Sequence, residues 1–325
     1  MNPKKYIKLL YLYGLFFAYI KHIRKYHSLM EYGFDEKNRP FIRYENKVFH
    51  GFLSSERERN TFHMLKSFLP HGLMETHYRL MRDFLTRYIY PHTMPTLKPN
   101  YSTFFLSGFH GQHKDAIDDI RDKSLRNKLR EVFRIKDDDI IINGGAYIGF
   151  GDLRVSELIP NGMMVSVEAE KKCFNLLQLN LKRNGIKNVI PLNNALWSES
   201  IKKELSTTDL EANSLVGEVI EQVILNRQLN VSDIQQTINC ITVDDIVKSN
   251  SLKKVDFVSL TLNGAEVETL DGMKETLSVH KPRIRLPGWY LRNGVPIWKL
   301  CSEKLKTFNY KVVVGKRGSV FAYYM

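Results

Sequence analysis

Asn143-Gly144-Gly145-Ala146-Tyr147-Ile148-Gly149 is a run of small residues in which backbone amides could meet a ligand unscreened by any Cβ, and Glu168 follows Gly145 by 23 positions. A carboxylate at that distance from a glycine loop can accept hydrogen bonds from both hydroxyls of an adenosine ribose. Packing alone gives the glycines a second explanation, because buried strand-to-helix turns also need small residues. Asn194-Ala195 lies where an adenine could be edged. Asn263-Gly264-Ala265-Glu266 closes a later apolar run, and Glu266 there could take a proton from a second substrate. The same carboxylate, in the first turn of a helix, would be stabilised by free amides and the helix dipole without any chemistry.

These residues need a parallel sheet to bring them together. Ile140, Ile141 and Ile142 form a wholly apolar β-branched run, as a strand covered on both faces does. Residues 163–167 form a second such run ending at Glu168, and residues 189–196 a third that runs out into polar and small residues. Between the second and third, residues 171–184 carry Phe174, Leu176, Leu177, Leu179 and Leu181 at roughly helical spacing, with a stop at Gly185. Residues 255–262 form a fourth strand, and a helix is expected from about Val267. At the C-terminus, two apolar runs, 310–314 and 319–324, flank a short glycine-bounded turn and predict an antiparallel hairpin.

The order Asn143-Gly144-Gly145-Ala146-x-x-Gly149, Glu168, Asn194-Ala195, Val243-Asp244-Asp245-Ile246 and Val255-Asp256-Phe257 through Gly264-Ala265-Glu266 resembles the FkbM-type S-adenosylmethionine-dependent methyltransferases, over roughly residues 137–325. The resemblance implies an α/β fold, the Rossmann-like class I methyltransferase sheet with its closing antiparallel hairpin, preceded here by a mainly helical N-terminal region. It implies S-adenosylmethionine as cofactor, held by Asn143, Gly145, Ala146, Gly149, Glu168, Asn194, Ala195 and Thr261. Glu266 is the catalytic candidate, and no metal is implied. The implied reaction is O-methylation of a hydroxyl on a glycan or small metabolite.

The chain departs from the family at its acids. The first loop usually opens with Asp, and here it opens with Asn143. The fourth strand usually ends Lys-x-Asp-x-Glu-Gly-x-Glu, and here Ser259, Thr261 and Asn263 fill the first three named positions while Glu266 keeps the last. A family acid after Pro282 is also missing, in Arg283-Ile284-Arg285. Asn143 and Thr261 still form hydrogen bonds but carry no charge. Two other readings therefore stand beside the enzyme: a non-catalytic adenosyl-binding or scaffolding protein with a drifted pocket, and a nicotinamide-dependent oxidoreductase, against which the closing hairpin argues.

The 325 residues carry a net charge of +13, concentrated at the front. Residues 1–100 hold 17 basic against 8 acidic side chains, +9, and residues 101–325 hold 31 against 27, +4. Pro91, Pro95 and Pro99 mark a linker, which divides the chain into a basic N-terminal region, 1–100, and a methyltransferase-like domain, 101–325. Residues 6–20 are apolar and aromatic between flanking lysines, too short to span a bilayer, and fit either an interfacial helix on an anionic membrane through residues 1–25 or a helix packed on the protein's own core. Without zinc spacing, an RNA-binding signature or a long basic helix, the composition argues against nucleic acid. Cys173, Cys240 and Cys301 are widely spaced beside apolar runs and read as buried thiols of a reducing compartment, a cytoplasmic location with the membrane surface as an alternative. His110 and His113 read as a surface loop.

Overall fold

The computed structural model describes residues 20–21, 23–89, 120, 122–208, 213–227, 231–316 and 318–324. The segment 6–19, the prolines of the expected linker, the boundary at residue 100 and the histidines 110 and 113 lie outside them.

Among the described residues the N-terminal region mixes helix with sheet: helical residues 20–21 and 23–27 lead into an antiparallel sheet of β1 (Met30–Phe34), β2 (Pro40–Tyr44) and β3 (Lys47–His50). Asp35 shapes the first turn by accepting from the amides of Lys37 and Arg39, and Glu45 makes the second with φ 53°. Helix α1 (Glu56–Leu65) starts on a reciprocal cap between Ser55 and Glu58. A 3₁₀ turn then leads into α2 (Tyr78–Phe84), which runs on as a π-helical turn, Leu85–Ile89. Helix α3 (Lys123–Val132), capped by Asp122, precedes the large sheet.

The second part alternates strands and helices: β4 (Ile140–Gly144), α4 (Phe150–Ser156), β5 (Met163–Val167), α5 (Lys171–Arg183), β6 (Val189–Leu192) and β7 (Ala195–Leu196). A hairpin arm, β8 (Lys202–Thr208) and β9 (Val231–Ile241), brackets α6 (Gly217–Arg227). Then come α7 (Val243–Ser249), β10 (Phe257–Leu260), α8 (Glu266–Asp271), α9 (Lys274–Val279), β11 (Arg283–Leu286), the short pair β12 (Leu291–Arg292) and β13 (Val295–Pro296), α10 (Ile297–Thr307), β14 (Lys311–Val314) and β15 (Val320–Tyr323).

Seven of these strands form one sheet in the order β14-β15-β11-β10-β4-β5-β6. It is parallel from β11 to β6, and β15 enters antiparallel between β11 and β14. This is the class I methyltransferase sheet with the closing hairpin that the resemblance implies. Ile142, Val165 and Val258 are fully buried in its centre, which explains why these strands read as unbroken apolar runs.

The N-terminal region packs on α4 and α5. The Asn180 amide accepts from the His50 backbone N–H and donates to its carbonyl, and Asn184 does the same for Val48. The Phe49 ring meets Phe150 edge to face at 5.2 Å. One buried apolar cluster accordingly contains residues from both sides of residue 100, from Ile42 and Phe84 to Phe150 and Leu177.

Candidate active site

The strand order reverses at β4, with β5 on one side and β10 on the other, and the crevice beyond the carboxyl ends of such strands is where open parallel sheets bind ligands. A cavity opens there. Asn143, Gly145, Ala146 and Glu168 reach its wall from β4 and β5, and Asn194, Ala195 and Thr261 from the ends beyond β6 and β10. Gly149 and Glu266, also expected at the site, are not part of that wall.

The glycine loop turns its amides inward. The N–H groups of Gly145 and Ala146 both donate to the Val167 carbonyl, at 2.9 and 3.1 Å, and that of Gly149 to Ala146 at 3.1 Å. The Tyr147 amide donates to Glu168 Oε2 at 2.7 Å, with Tyr147 held at φ 56°. The expectation that these amides face a ligand is therefore corrected: they bind the protein's own acceptors. Packing explains the glycines too. A Cβ on Gly145 would stand 2.1 Å from the Thr261 carbonyl oxygen, and one on Gly149 2.5 Å from Leu177 Cδ1.

Glu168 is buried and lines the cavity. Besides Tyr147, it accepts from the Glu170 amide at 2.9 Å. Two backbone donors leave acceptor capacity on both oxygens for two hydroxyls. Burial pushes its pKa up to about 7, against the pull of those two amides. Asn193 fixes the backbone around it by donating to the carbonyls of Glu168 and Ala169.

Asn143 does not stand alone as a neutral substitute for an acid. Its amide donates to Asp152 Oδ1 at 3.1 Å, and the same oxygen accepts from the Ser166 hydroxyl. Asp152 sits in the first turn of α4, is buried, and lines the cavity. Burial pushes its pKa up, offset by the bonds from Ser166 and Asn143. A carboxylate thus remains beside the start of the loop, carried by the helix rather than by the strand. Its place in the first helical turn, facing back to the strand end, is the signal that could have found it.

Glu266 caps the loop after β10. Its Oε1 accepts from the Leu262 amide and its Oε2 from the Gly264 amide, both at 2.9 Å, with the side chain buried. Burial pushes its pKa up to about 7 as well. The geometry gives Glu266 a positioning role, holding the turn that presents Thr261 and Asn263. Glu266→Ala leaves two backbone donors without their acceptors, so at pH 5, where the parent carboxyl is protonated and its removal relieves no buried charge, it should destabilise the fold by about 2–5 kcal/mol in chemical denaturation. A variant as stable as the parent chain but devoid of turnover would instead assign Glu266 to the chemistry.

The wall also holds residues outside the expected set of ligand-binding positions. Asn213, Ser214 and Leu215 come from the segment between β8 and α6, where the Ser214 hydroxyl donates to the Asn263 carbonyl at 2.7 Å. Trp289 adds an aromatic face, and Cys173, a buried free thiol, lies near Glu168. Arg87 reaches in from the π-helical turn of the N-terminal region. Nothing in the local sequence around Arg87 marks it, because only the packing of that region on α4 brings it here.

The residues present fit an adenosyl donor by their chemistry. Glu168 offers acceptors suited to ribose hydroxyls, and Ala195, Leu196, Leu205 and Leu215 line an apolar stretch of wall beside it.

The chain is similar in structure to methyltransferase FkbM from Methylobacillus flagellatus KT, at 13% identity over 83% of this chain and 72% of that one, with a TM-score of 0.43. It is similar to precorrin-6y C5,15-methyltransferase from Geobacter metallireducens GS-15, at 16% identity over 63% and 90% and a TM-score of 0.36. Aeropyrum pernix fibrillarin, solved with natively bound S-adenosyl-L-methionine, aligns at 13% identity over 66% and 77% with a TM-score of 0.35. No curated protein matches the chain by sequence. The Methyltransferase FkbM domain matches residues 143–305, half of the chain and the whole span from the glycine loop into α10, and the protein belongs to the FkbM methyltransferase family.

Proposed function

We propose that the protein binds S-adenosylmethionine at this cavity and transfers its methyl group to a hydroxyl of a glycan or small metabolite. The observation that carries the donor assignment is Glu168, a buried carboxylate with acceptor capacity left at the cavity wall. The donor supplies a methyl already activated by a sulfonium, so alignment and exclusion of water contribute most of the rate. Glu168 orients the ribose. Thr261, Asn263 and Asn213 place neutral hydrogen-bonding groups on one wall, and Trp289 an apolar face, a lining suited to a polyhydroxylated neutral acceptor.

The replacement of family acids by Asn143, Thr261 and Asn263, together with the capping role of Glu266, favours a second reading, a donor-binding protein without turnover. One experiment separates the readings. Titration calorimetry with S-adenosylhomocysteine and with NAD should give heat with the first and none with the second. Incubation with methyl-labelled donor and a panel of hydroxylated acceptors should then yield a label stable to alkali, as an ether is and an ester is not. Binding without any transfer would support the donor-binding reading, and NAD binding alone would overturn both.

A further inference from the structure

Arg87 is the one cation among the described residues that line the cavity. It lies outside the family-matched segment and is delivered by the π-helical turn Leu85–Ile89, the kind of local widening of a helix that often marks a functional site. Its guanidinium carbon stands 4.3 Å from the centre of the Tyr147 ring. That ring is a fixed platform. The Tyr147 amide is bound to Glu168, and its hydroxyl donates to Asp83 at 3.2 Å and accepts from Arg79 at 3.0 Å. A guanidinium stacked on a held aromatic ring keeps its planar fork of donors in one orientation, which suits recognition of a carboxylate.

Arg87 also stands among acids. Two of them, Asp152 and Glu168, line the cavity; Arg87 already acts on the first, and either in its ionised form would repel a second carboxylate entering beside it. The adenosyl donor brings one anionic group, the α-carboxylate of its methionine part. We propose that Arg87 binds this carboxylate, so that the N-terminal region completes the donor site of the methyltransferase sheet. The inference rests on the donor assignment of the preceding subsection.

The test compares S-adenosylhomocysteine with S-adenosyl-3-thiopropylamine, which keeps the adenosine, the sulfur and the amine and lacks the carboxylate. By calorimetry the parent protein should prefer S-adenosylhomocysteine by about tenfold or more, the loss expected for one charge-assisted pair. Arg87→Met should remove that preference by weakening S-adenosylhomocysteine alone. Arg87→Lys, which keeps the charge without the fork, should fall between. A parent without the preference, or an Arg87→Met protein that weakens both ligands equally, overturns the assignment and leaves Arg87 as a support for Tyr147. Loss of acceptor affinity with S-adenosylhomocysteine binding unchanged also overturns it and moves the recognised anion to the acceptor. If the parent binds neither ligand, the donor assignment itself falls.

Discussion

Gly145→Val should fail to fold, or fold with a loss of several kcal/mol, before any ligand is considered. An added Cβ would meet the Thr261 carbonyl oxygen at 2.1 Å and the Thr261 carbonyl carbon at 3.0 Å. Both atoms are backbone. They belong to the extension of β10, which is tied to β4 by the Thr261 amide donating to the Gly144 carbonyl at 2.9 Å. Relief therefore requires parting two central strands at their ends. The φ of +82° adds a cost of about 1–3 kcal/mol for any L side chain, and overpacking a further 1–3 kcal/mol or more. The clash lies at the Cβ, so Gly145→Ala should be nearly as damaging as the valine. Gly149→Ala differs, because its nearest neighbour at 2.5 Å is the tip of the Leu177 side chain, which can turn away. Denaturation midpoints should fall in the order parent, Gly149→Ala, Gly145→Ala. A Gly145→Ala protein within about 1 kcal/mol of the parent would refute the packing account.

This changes what the glycine loop signifies. Read as sequence, its small residues and its spacing to Glu168 suggest backbone amides facing a ligand. In the folded chain the amides of Gly145, Ala146 and Tyr147 all point at the end of β5, two at the Val167 carbonyl and one at Glu168. The loop is thus a device that locks β4 to β5 and β10 and sets the Glu168 carboxylate at the cavity wall. Spacing locates such a loop, but it does not say which way an N–H points.

The central strands were legible because burial on both faces forces unbroken β-branched runs, as in Ile140 to Ile142. Helix α5 was legible from the spacing of Phe174 to Leu181 and the stop at Gly185, and the closing hairpin from two apolar runs around a turn. The strands β1 to β3 were not. Each has four or five residues, and β1 runs buried, exposed, half-buried, half-buried, exposed from Met30 to Phe34, so no period-2 alternation separates it from a loop or a helix end. The site was legible where its residues end strands of one sheet, as Asn143, Glu168 and Thr261 do. For Glu266 the sequence left two readings, chemistry or stabilisation by free amides, and in the fold its carboxylate accepts from two amides of its own loop; Asp152 and Arg87 were not legible, because they reach the cavity from a helix and from a separate region. A sequence shows that a carboxylate sits near a strand end; only the fold shows whether it faces the cavity or the backbone.

Glu168→Ala should weaken the affinity for 5′-methylthioadenosine by about a hundredfold or more, the loss of two charge-assisted hydrogen bonds of about 1.5–3 kcal/mol each. This probe carries the ribose and adenine without the amine and carboxylate of the full donor, so the effect is confined to the Glu168 side of the cavity. The pH dependence adds a second signature. Burial raises the Glu168 pKa from 4.5 to about 7 in the ligand-free fold. A raised folded pKa means that the native state binds the proton more tightly than the unfolded chain does, so the stability contributed by this group is fully present below pH 4.5 and is lost as pH rises through about 7. Ribose hydroxyls that donate to the carboxylate favour its ionised form, so ligand binding pulls the pKa down and expels the proton. The parent affinity should therefore rise as pH increases from about 5.5 to 7, by up to about tenfold per unit, and level off above. Glu168→Ala should bind with the same weak affinity across that range. Its stability at pH 8 should stay near the parent value, because losing the acceptor for the amides of Tyr147 and Glu170 is offset by removing a buried charge. At pH 5 the parent carboxyl is protonated and that relief is gone, so the variant should be the less stable of the two. Calorimetric affinities for both proteins at four pH values decide the matter, and a parent affinity flat from pH 5.5 to 8, or an alanine variant that binds as tightly, would show that the ribose does not sit on Glu168.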